Sequence, residues 1–306
     1  MKKASLILRI ALFALLSLAV LSLTSCGGQL NTREETLTDD FKTVEIDTDT
    51  SDIVILPSEN GECKLVCSEQ DGIVHTATVR DSKLIIEVSD NRHWFNTLFI
   101  TKMGVTIYLP RAEYQALILE TDTGNITLDG EFTVDAVEAS SDTGNIMIKG
   151  IACASLVAKS DTGNTGIHDV SSAALIKLEG DTGNAVIGNC NTNELYVSSE
   201  TGEVNIDTCK CTILGISVDT GNVNLINVIA EGKFDITSTT GDVRFTSCDA
   251  ASVFVTTNTG NVKGSFLTDK VIFADTDTGD VDIPKLTSGG KCEITTDTGD
   301  IKITIN

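Results

Sequence analysis

From residue 117 to the C-terminus, apolar and polar residues alternate in short runs that recur every 19 or 20 residues. Each repeat contains a Thr-Gly pair followed by Asn, Asp or Glu, and we number positions from its glycine. Positions −7 and −5 are apolar in all ten repeats, and positions +2 and +4 are apolar in most. Such alternation predicts two strands per repeat, each with one inward face, joined at the Thr-Gly corner. The corner glycines are Gly124, Gly144, Gly163, Gly183, Gly202, Gly221, Gly241, Gly260, Gly279 and Gly299.

A short, strict period is typical of a chain that stacks one coil on the next rather than of a globular pocket enzyme. We therefore predict an all-β protein, a single-stranded β-solenoid similar to a parallel β-helix, with about 19–20 residues per coil. Residues 117–306 form the repeat solenoid in this interpretation. Residues 41–116 have less regular strand patterns and are predicted to form an irregular N-terminal β cap.

The corner residues suggest a specific turn. Glycine reaches positive φ without steric cost, and the Asn or Asp after it can hydrogen-bond nearby backbone. The threonine before each glycine is predicted to point inward, where stacked hydroxyl groups would bond to one another.

The two ends of the solenoid are expected to differ. The N-terminal end has its cap, whereas the sequence stops in strand pattern at residues 301–306. This segment is predicted to be an unpaired strand edge, which favours pairing with another chain. We expect it to dock a partner strand or a second copy of the protein.

The first residues predict export. Lys2, Lys3 and Arg9 precede an apolar run, and the segment ends in Leu-Thr-Ser before Cys26. This ending resembles the bacterial lipobox, which implies a signal peptide at residues 1–25, diacylglycerol on Cys26 and a lipidated tether at residues 26–40. An ordinary cleaved signal peptide and an uncleaved anchor are the alternatives. Two acyl chains give stable anchoring, so we expect a lipid-anchored protein of the bacterial cell envelope, exposed outside the cytoplasm.

Charge narrows the range of partners. The formal net charge is −22, and it falls to −25 without residues 1–25, which carry three basic and no acidic residues. So acidic a chain repels nucleic acid, which is therefore not an expected partner. An envelope protein or a glycan is the expected class of partner, although aromatic residues make up only 5% of the chain and do not favour a rich sugar-stacking surface.

One acidic position recurs next to the corner. Position −2 is predicted to point outward, and carboxylates stacked at the strand spacing repel one another unless a cation or solvent intervenes. The column is therefore a candidate Ca²⁺ site, with a solvated acidic face as the alternative. No other cofactor is expected. The column consists of Asp122, Asp142, Asp161, Asp181, Glu200 and Asp219.

Enzymatic motifs have structural explanations in this sequence. Asp-Thr-Gly also occurs in aspartic proteases, but seven copies at the coil period indicate a corner. A polysaccharide-active β-helix is the enzyme alternative, although basic residues are sparse. His75 and His168 are interpreted as isolated, so no metal site is expected there. The segment Arg92-His93-Trp94-Phe95 is predicted to be a loop that either forms a binding tip or packs over the cap.

Eight cysteines remain besides Cys26. Cys190 and Cys209 lie one period apart, so they are expected on neighbouring coils near bridging distance. They are either a disulfide or buried free thiols.

The arrangement resembles the bacterial adhesin-like family named domain of unknown function 4097. The resemblance rests on an Asp-Ile-Val-Ile-Leu-Pro run at residues 52–57, a Val-Thr-Ile-Tyr-Leu-Pro strand at 105–110 and the tandem Thr-Gly-Asn/Asp turns. It implies a β-solenoid at the cell envelope without catalytic residues. We therefore expect a non-enzymatic interaction or adhesion module, with an envelope-stress accessory that binds a membrane partner as the alternative.

Overall fold

The computed structural model describes residues 30–90 and 103–306, and within them the chain forms one continuous sheet of 24 strands. The described residues contain no helix of the length and apolar character needed to cross a membrane. The single sheet of 24 strands confirms the prediction of an all-β solenoid. The predicted signal peptide, Cys26 and the segment Arg92-His93-Trp94-Phe95 lie outside the described residues.

The strands fall into a cap region, a regular stack and a C-terminal pair of coils. The cap strands are β1 (Leu30–Leu37), β2 (Thr43–Thr48), β3 (Ser51–Pro57), β4 (Cys63–Gln70), β5 (Ile73–Arg80), β6 (Lys83–Asp90) and β7 (Met103–Leu109). The regular stack contains β8 (Glu113–Thr123), β9 (Ile126–Thr143), β10 (Ile146–Thr162), β11 (Thr165–His168), β12 (Ser171–Thr182), β13 (Ala185–Gly188), β14 (Glu194–Thr201), β15 (Val204–Asp207), β16 (Lys210–Thr220), β17 (Val223–Ile226), β18 (Ile229–Thr240), β19 (Val243–Thr259) and β20 (Val262–Phe266). The last coils contain β21 (Lys270–Thr278), β22 (Val281–Asp282), β23 (Gly290–Thr298) and β24 (Ile301–Ile305).

Neighbouring coils of the regular stack pair in parallel and in register. Thr143 lies opposite Thr123 on one side and Thr162 on the other, and the same match continues from coil to coil. Positions −7, −5, +2 and +4 point inward, and Leu117, Leu119, Ile126 and Leu128 are fully buried. Burying each such side chain contributes about 1.5–3 kcal/mol, so stacked aliphatic columns provide most of the stability of the coil.

The corner glycines stack so closely that no other residue fits. Corner glycines such as Gly202 and Gly221 have φ of 154°. A Cβ atom on Gly221 would lie 1.9 Å from the carbonyl oxygen of Gly202 in the preceding coil. Glycine is needed at the corner for its backbone conformation, as predicted, and the contact between coils is a second and stricter requirement.

The residue after each glycine forms a hydrogen-bonded ladder along the stack. The backbone N–H of Asn164 donates to the side-chain oxygen of Asn145 at 2.9 Å, and the N–H of Asn184 donates to Asn164 at 2.9 Å. The predicted bonding of this side chain to backbone is confirmed, and its partner lies in the neighbouring coil. The ladder therefore holds neighbouring coils in register and also stabilises the turn.

The prediction that the corner threonine points inward is wrong. Thr123, Thr143 and Thr162 are exposed, because the chain turns at positions −2 and −1 and alternation ends there. The polar residue that points inward is instead the one at position −3. In one coil this residue is Ser160, whose hydroxyl group donates to the carbonyl oxygen of Gly144 at 2.9 Å. A column of buried small hydroxyl residues thus runs behind the corner.

Not every hydroxyl in that column has a partner, which gives a matched test. Within the described residues, Ser199, Ser238 and Thr257 have buried hydroxyl groups without a hydrogen bond, whereas Ser160 is bonded. We expect Ser160→Ala to lower the free energy of unfolding by about 1 kcal/mol, because it leaves a carbonyl oxygen unpaired. Ser238→Ala should be neutral or stabilising. Urea denaturation of the two variants checks this, and equal losses would contradict it.

A second corner lies six residues after five of the corner glycines and was not predicted. Asp169, Asn189, Thr208, Asn227 and Ser247 have φ between 53° and 55° there, a left-handed conformation that is rare for residues with a side chain. A buried residue follows each of them, including Cys190, Cys209 and Cys248. This corner returns the chain to the next long strand and closes the coil.

The N-terminal cap reverses the simple order of coils. The coil of β2 and β3 lies between the coil of β8 and β9 and an outer layer of β6 and β7. Antiparallel β5 and β4 then pair with β6 and β7, and β1 is antiparallel to β4. Residues 30–37 are thus a strand, although the sequence predicted that they belong to a tether.

The last two coils are exchanged in space. β23 lies between β19 and β21, and β24 lies between β20 and β22. The final coil of the sequence is therefore inserted between the two that precede it. The prediction that residues 301–306 form an unpaired edge is wrong, because Ile301 pairs with Val262 on one side and Val281 on the other.

Candidate functional site

The acidic residues at position −2 form one column on the outside of the sheet, as predicted. The in-register pairing places one member in each successive coil. Asp161 is half-buried and the others are exposed. The members are Asp122, Asp142, Asp161, Asp181, Glu200 and Asp219.

A lysine lies beside this column. The Nζ atom of Lys159 is 3.1 Å from Oδ1 of Asp161. The hydrogen bond to Asp161, with the charges of Asp181 and Asp142, raises the pKa of Lys159. Among residues 30–90 and 103–306, the column brings no three carboxylates together as a metal site. Lys159 therefore supplies part of the positive charge that calcium was predicted to supply. Cation binding by the column stays a prediction.

The uncovered end of the stack lies at β21 and β22. Within the described residues, β21 pairs only with β23. Phe273 is 58% exposed and Val281 is 44% exposed. Ile272, Ala274 and Ile283 point toward the core but are only partly buried. This end therefore presents both unpaired backbone and unfinished core.

The charge of this end coil is strongly acidic. Residues 267–289 contain five aspartates and two lysines, and one of these lysines, Lys270, is 1% exposed and paired with Asp249. The other lysine is Lys285. The end is therefore apolar around Phe273 and negatively charged at its rim. The aspartates are Asp269, Asp275, Asp277, Asp280 and Asp282.

A buried polar cluster lies at the opposite end, inside the cap. His75 is completely buried, and its Nε2 and Nδ1 atoms lie 2.9 Å from Ser51 Oγ and 3.3 Å from Glu69 Oε1. Cys67 and Glu69 face inward from β4, and Arg33 reaches over them from β1. The expectation that His75 is isolated is wrong. The available signal was that Glu69 and His75 both occupy inward positions of otherwise apolar strands.

Hydrogen bonds define the charges in this cluster. Burial raises the pKa of Glu69, but hydrogen bonds from His75 and Arg33 outweigh it and lower the pKa overall. Burial raises the pKa of the Cys67 thiol to about 12, although the charge of Arg33 lowers it. The cluster therefore holds a carboxylate, a guanidinium and a protonated thiol at neutral pH.

The spacing of Ser51, His75 and Glu69 resembles a hydrolytic triad, but access excludes that chemistry. Ser51 and His75 have no exposed surface, and Ser51 lies behind the cap strands. A serine nucleophile must reach a substrate carbonyl group beside hydrogen-bond donors for the oxyanion. The geometry therefore does not support an acyl-transfer site.

All eight cysteines in the described residues are buried free thiols. Cys190 and Cys209 lie on neighbouring coils, as predicted, and share a thiol hydrogen bond. Of the two alternatives that the sequence left open, the structure has the free thiols.

Comparison with known proteins adds the family. The model of the family Toastrack DUF4097 matches residues 41–226 and 191–306. No curated protein is significantly similar to the chain.

Three solved structures are similar to the chain. A candidate adhesin from Parabacteroides merdae is 15% identical, with a TM-score of 0.50 over 90% of this chain and 96% of that one. A candidate adhesin from Parabacteroides distasonis is 12% identical, with a TM-score of 0.49 over 90% and 98%. A candidate adhesin from Bacteroides fragilis is 15% identical, with a TM-score of 0.45 over 90% and 97%. At this identity, the Parabacteroides merdae structure indicates a shared fold only.

The family match spans residues 41–306, which include β2 to β7 of the cap and the whole repeat region, and it agrees with the turn pattern and the coil architecture. The chain belongs to the Toastrack DUF4097 family.

Proposed function

We propose that the protein is a non-enzymatic, lipid-anchored module of the cell envelope that binds a partner at the uncovered end formed by β21 and β22. The observation that carries this proposal is the unfinished core at that end, where Ile272, Ala274 and Ile283 are only partly buried. Phe273, on the outer face of the same strand, adds an apolar side chain that is 58% exposed. Unpaired strand edges add strands from other chains through backbone hydrogen bonds, and pockets for alternate side chains give specificity.

Charge selects the kind of partner. A second copy paired through the same edge would bring the aspartates of both end coils together, and like charges at such distances repel. An extended segment with apolar residues on one face and Lys or Arg on the other complements both features of this end. The occupant in our proposal is such a basic strand of an envelope protein.

The anchor fits this arrangement. Predicted lipidation at Cys26 lies just before β1, at the cap end of the stack, whereas β21 lies at the other end. The anchored molecule would thus present its uncovered end away from the lipid. The Parabacteroides merdae relative, a candidate adhesin, has the same fold, which is compatible with a role at the surface.

A photo-crosslinking residue at position 273 tests the proposal in intact cells, with position 254 as the matched control. Phe254 occupies the same place in its coil, but the stack continues past it and Lys291 lies 5.4 Å from its ring centroid. We expect a discrete protein adduct from position 273 and none from position 254. The adduct should decrease severalfold in Asp275→Asn/Asp277→Asn and in Cys26→Ala.

Three outcomes would contradict the proposal. Equal adducts from both positions would indicate non-specific contact, and an adduct with a second copy would replace the basic partner with self-association. The third is the absence of any adduct from position 273 in cells that display the anchored protein.

A further inference from the structure

The buried cluster in the cap has the composition of a transition-metal site. One ligand atom each from Cys67, Glu69 and His75 lies within 4.8 Å of the other two, and all three residues are buried. Thiolate, carboxylate and imidazole are the ligands that Zn²⁺ takes in proteins. Tetrahedral bonds of about 2.0–2.3 Å separate ligand atoms by about 3.3–3.7 Å, and Nδ1 of His75 already lies 3.3 Å from Oε1 of Glu69.

We propose that Cys67, Glu69 and His75 bind a Zn²⁺ ion, and that an arginine side chain from β1 closes the site when the ion is not bound. The fourth ligand is water. The site is separate from the uncovered end at β21 and does not depend on the function proposed above.

The arginine is Arg33, and its guanidinium group takes the place of a cation. Its Nη2 atom lies 3.6 Å from Sγ of Cys67 and 3.3 Å from Oε1 of Glu69, and it also donates to the carbonyl oxygen of His75. One nitrogen therefore touches all three residues of the proposed site. Its Nε atom is buried without a hydrogen bond among the described residues, so the side chain is not fully satisfied there.

Charge is balanced in both states of the site. In the closed state, the positive guanidinium offsets the carboxylate of Glu69 while the thiol of Cys67 keeps its proton. In the loaded state, Zn²⁺ offsets the carboxylate and a thiolate, and the thiol proton passes to solvent. The displaced guanidinium keeps a partner on its own strand, because its Nη1 atom lies 2.7 Å from Glu35.

The remaining contacts orient the histidine for metal binding through Nδ1. Ser51 Oγ lies 2.9 Å from Nε2. Nδ1–H donates to Glu69 when the site is closed, and Nε2–H donates to the Ser51 hydroxyl when Nδ1 binds the ion. The hydrogen bond on the far nitrogen of a metal-binding histidine fixes its tautomer in the same way.

The site also has a route of entry. Arg33 is 20% exposed and Glu69 is 11% exposed, and β1 is an edge strand with no fully buried residue. Opening requires only that one side chain of this edge strand turn outward. Metal binding would thereby loosen the strand that follows the predicted anchor.

Cobalt titration of the full mature chain tests the proposal, because Co²⁺ bound to a thiolate gives a charge-transfer absorption band that Zn²⁺ removes by competition. We expect the wild type to show this band. Arg33→Met should bind about tenfold more tightly, since a competing charge is gone, which corresponds to ~1.4 kcal/mol. Cys67→Ser should lose the band, whereas Cys248→Ser, which changes another buried thiol, should keep it.

The wild-type titration is decisive even if a variant fails to fold. No thiolate band at saturating cobalt overturns the proposal, and so does a band that Cys67→Ser retains. If Arg33→Met binds cobalt and the wild type does not, Arg33 never leaves the site in the native protein, and this result also overturns the proposal. In a second measurement, Zn²⁺ should accelerate trypsin cleavage after Arg33, and unchanged cleavage would contradict the opening of β1.

Discussion

Replacing Gly221 with alanine is expected to destabilise the protein by about 4 kcal/mol. The new Cβ atom would lie 1.9 Å from the carbonyl oxygen of Gly202, and the backbone has φ of 154° at this position. Overpacking in a rigid interior typically costs about 1–3 kcal/mol, and an incompatible backbone conformation costs about as much again. The coils above and below hold the corner by backbone hydrogen bonds on both sides, so it cannot shift without breaking the register.

Gly180→Ala is the matched control. Gly180 lies half-buried at position −3, behind the corner, with no positive φ, and an added Cβ would approach only Ser160 O, at 3.5 Å. We expect a change within about 0.5 kcal/mol, or a small gain because alanine has less freedom than glycine in the unfolded chain. Urea denaturation of both variants makes the comparison. Similar losses would mean that corner stacking does not determine stability.

Removing residues 290–306 is expected to disorder residues 267–289 as well. β21 and β22 pair only with β23 and β24 among the described residues, so the deletion leaves them without a sheet partner. It also removes four buried side chains, namely Cys292, Ile294, Ile301 and Ile303, which together contribute about 6 kcal/mol or more. Limited trypsin digestion should then cut after Lys270, which is buried in the intact protein.

Two point variants test the same exchange of coils without a truncation. Ile294 is 1% exposed in the inserted coil, and Ile272 is only partly buried in the outer coil. We expect Ile294→Ala to cost about 3 kcal/mol and Ile272→Ala about 1 kcal/mol. Coils stacked in the order of the sequence would reverse this ranking, so the reverse result would contradict the exchange.

The core of the stack could be predicted from the sequence because strand alternation directly reports which face is inward. Leu117 and Leu119 are buried as expected, and so are Ile126 and Leu128. The same rule failed at Thr123, because two consecutive residues of the corner both point outward and the phase is lost there. Periodicity predicts the strands better than the turns that interrupt them.

The exchanged coils could not be predicted, because coils with equivalent corners can pair in either order. The ladder side chains show this, since Asp300 bonds to Asn261 and Asp280 bonds to Asp300 with the same geometry as elsewhere. The cluster around His75 was missed for a different reason. Its members lie on four strands, β1, β3, β4 and β5, and only the folding of the cap brings them together.

The inserted final coil also affects how the molecule responds to mechanical force. In a solenoid stacked in sequence order, the C-terminal strand pairs with a neighbour on one side only. Tension on its last residue therefore detaches one strand at a time, by breaking a single row of backbone hydrogen bonds. Here, tension on Asn306 acts on a strand held by β20 on one side and β22 on the other. The backbone hydrogen bonds to both neighbouring strands must therefore break together before this end of the stack unfolds. The coil farthest from the predicted anchor is thus held in place by the coil that follows it in sequence.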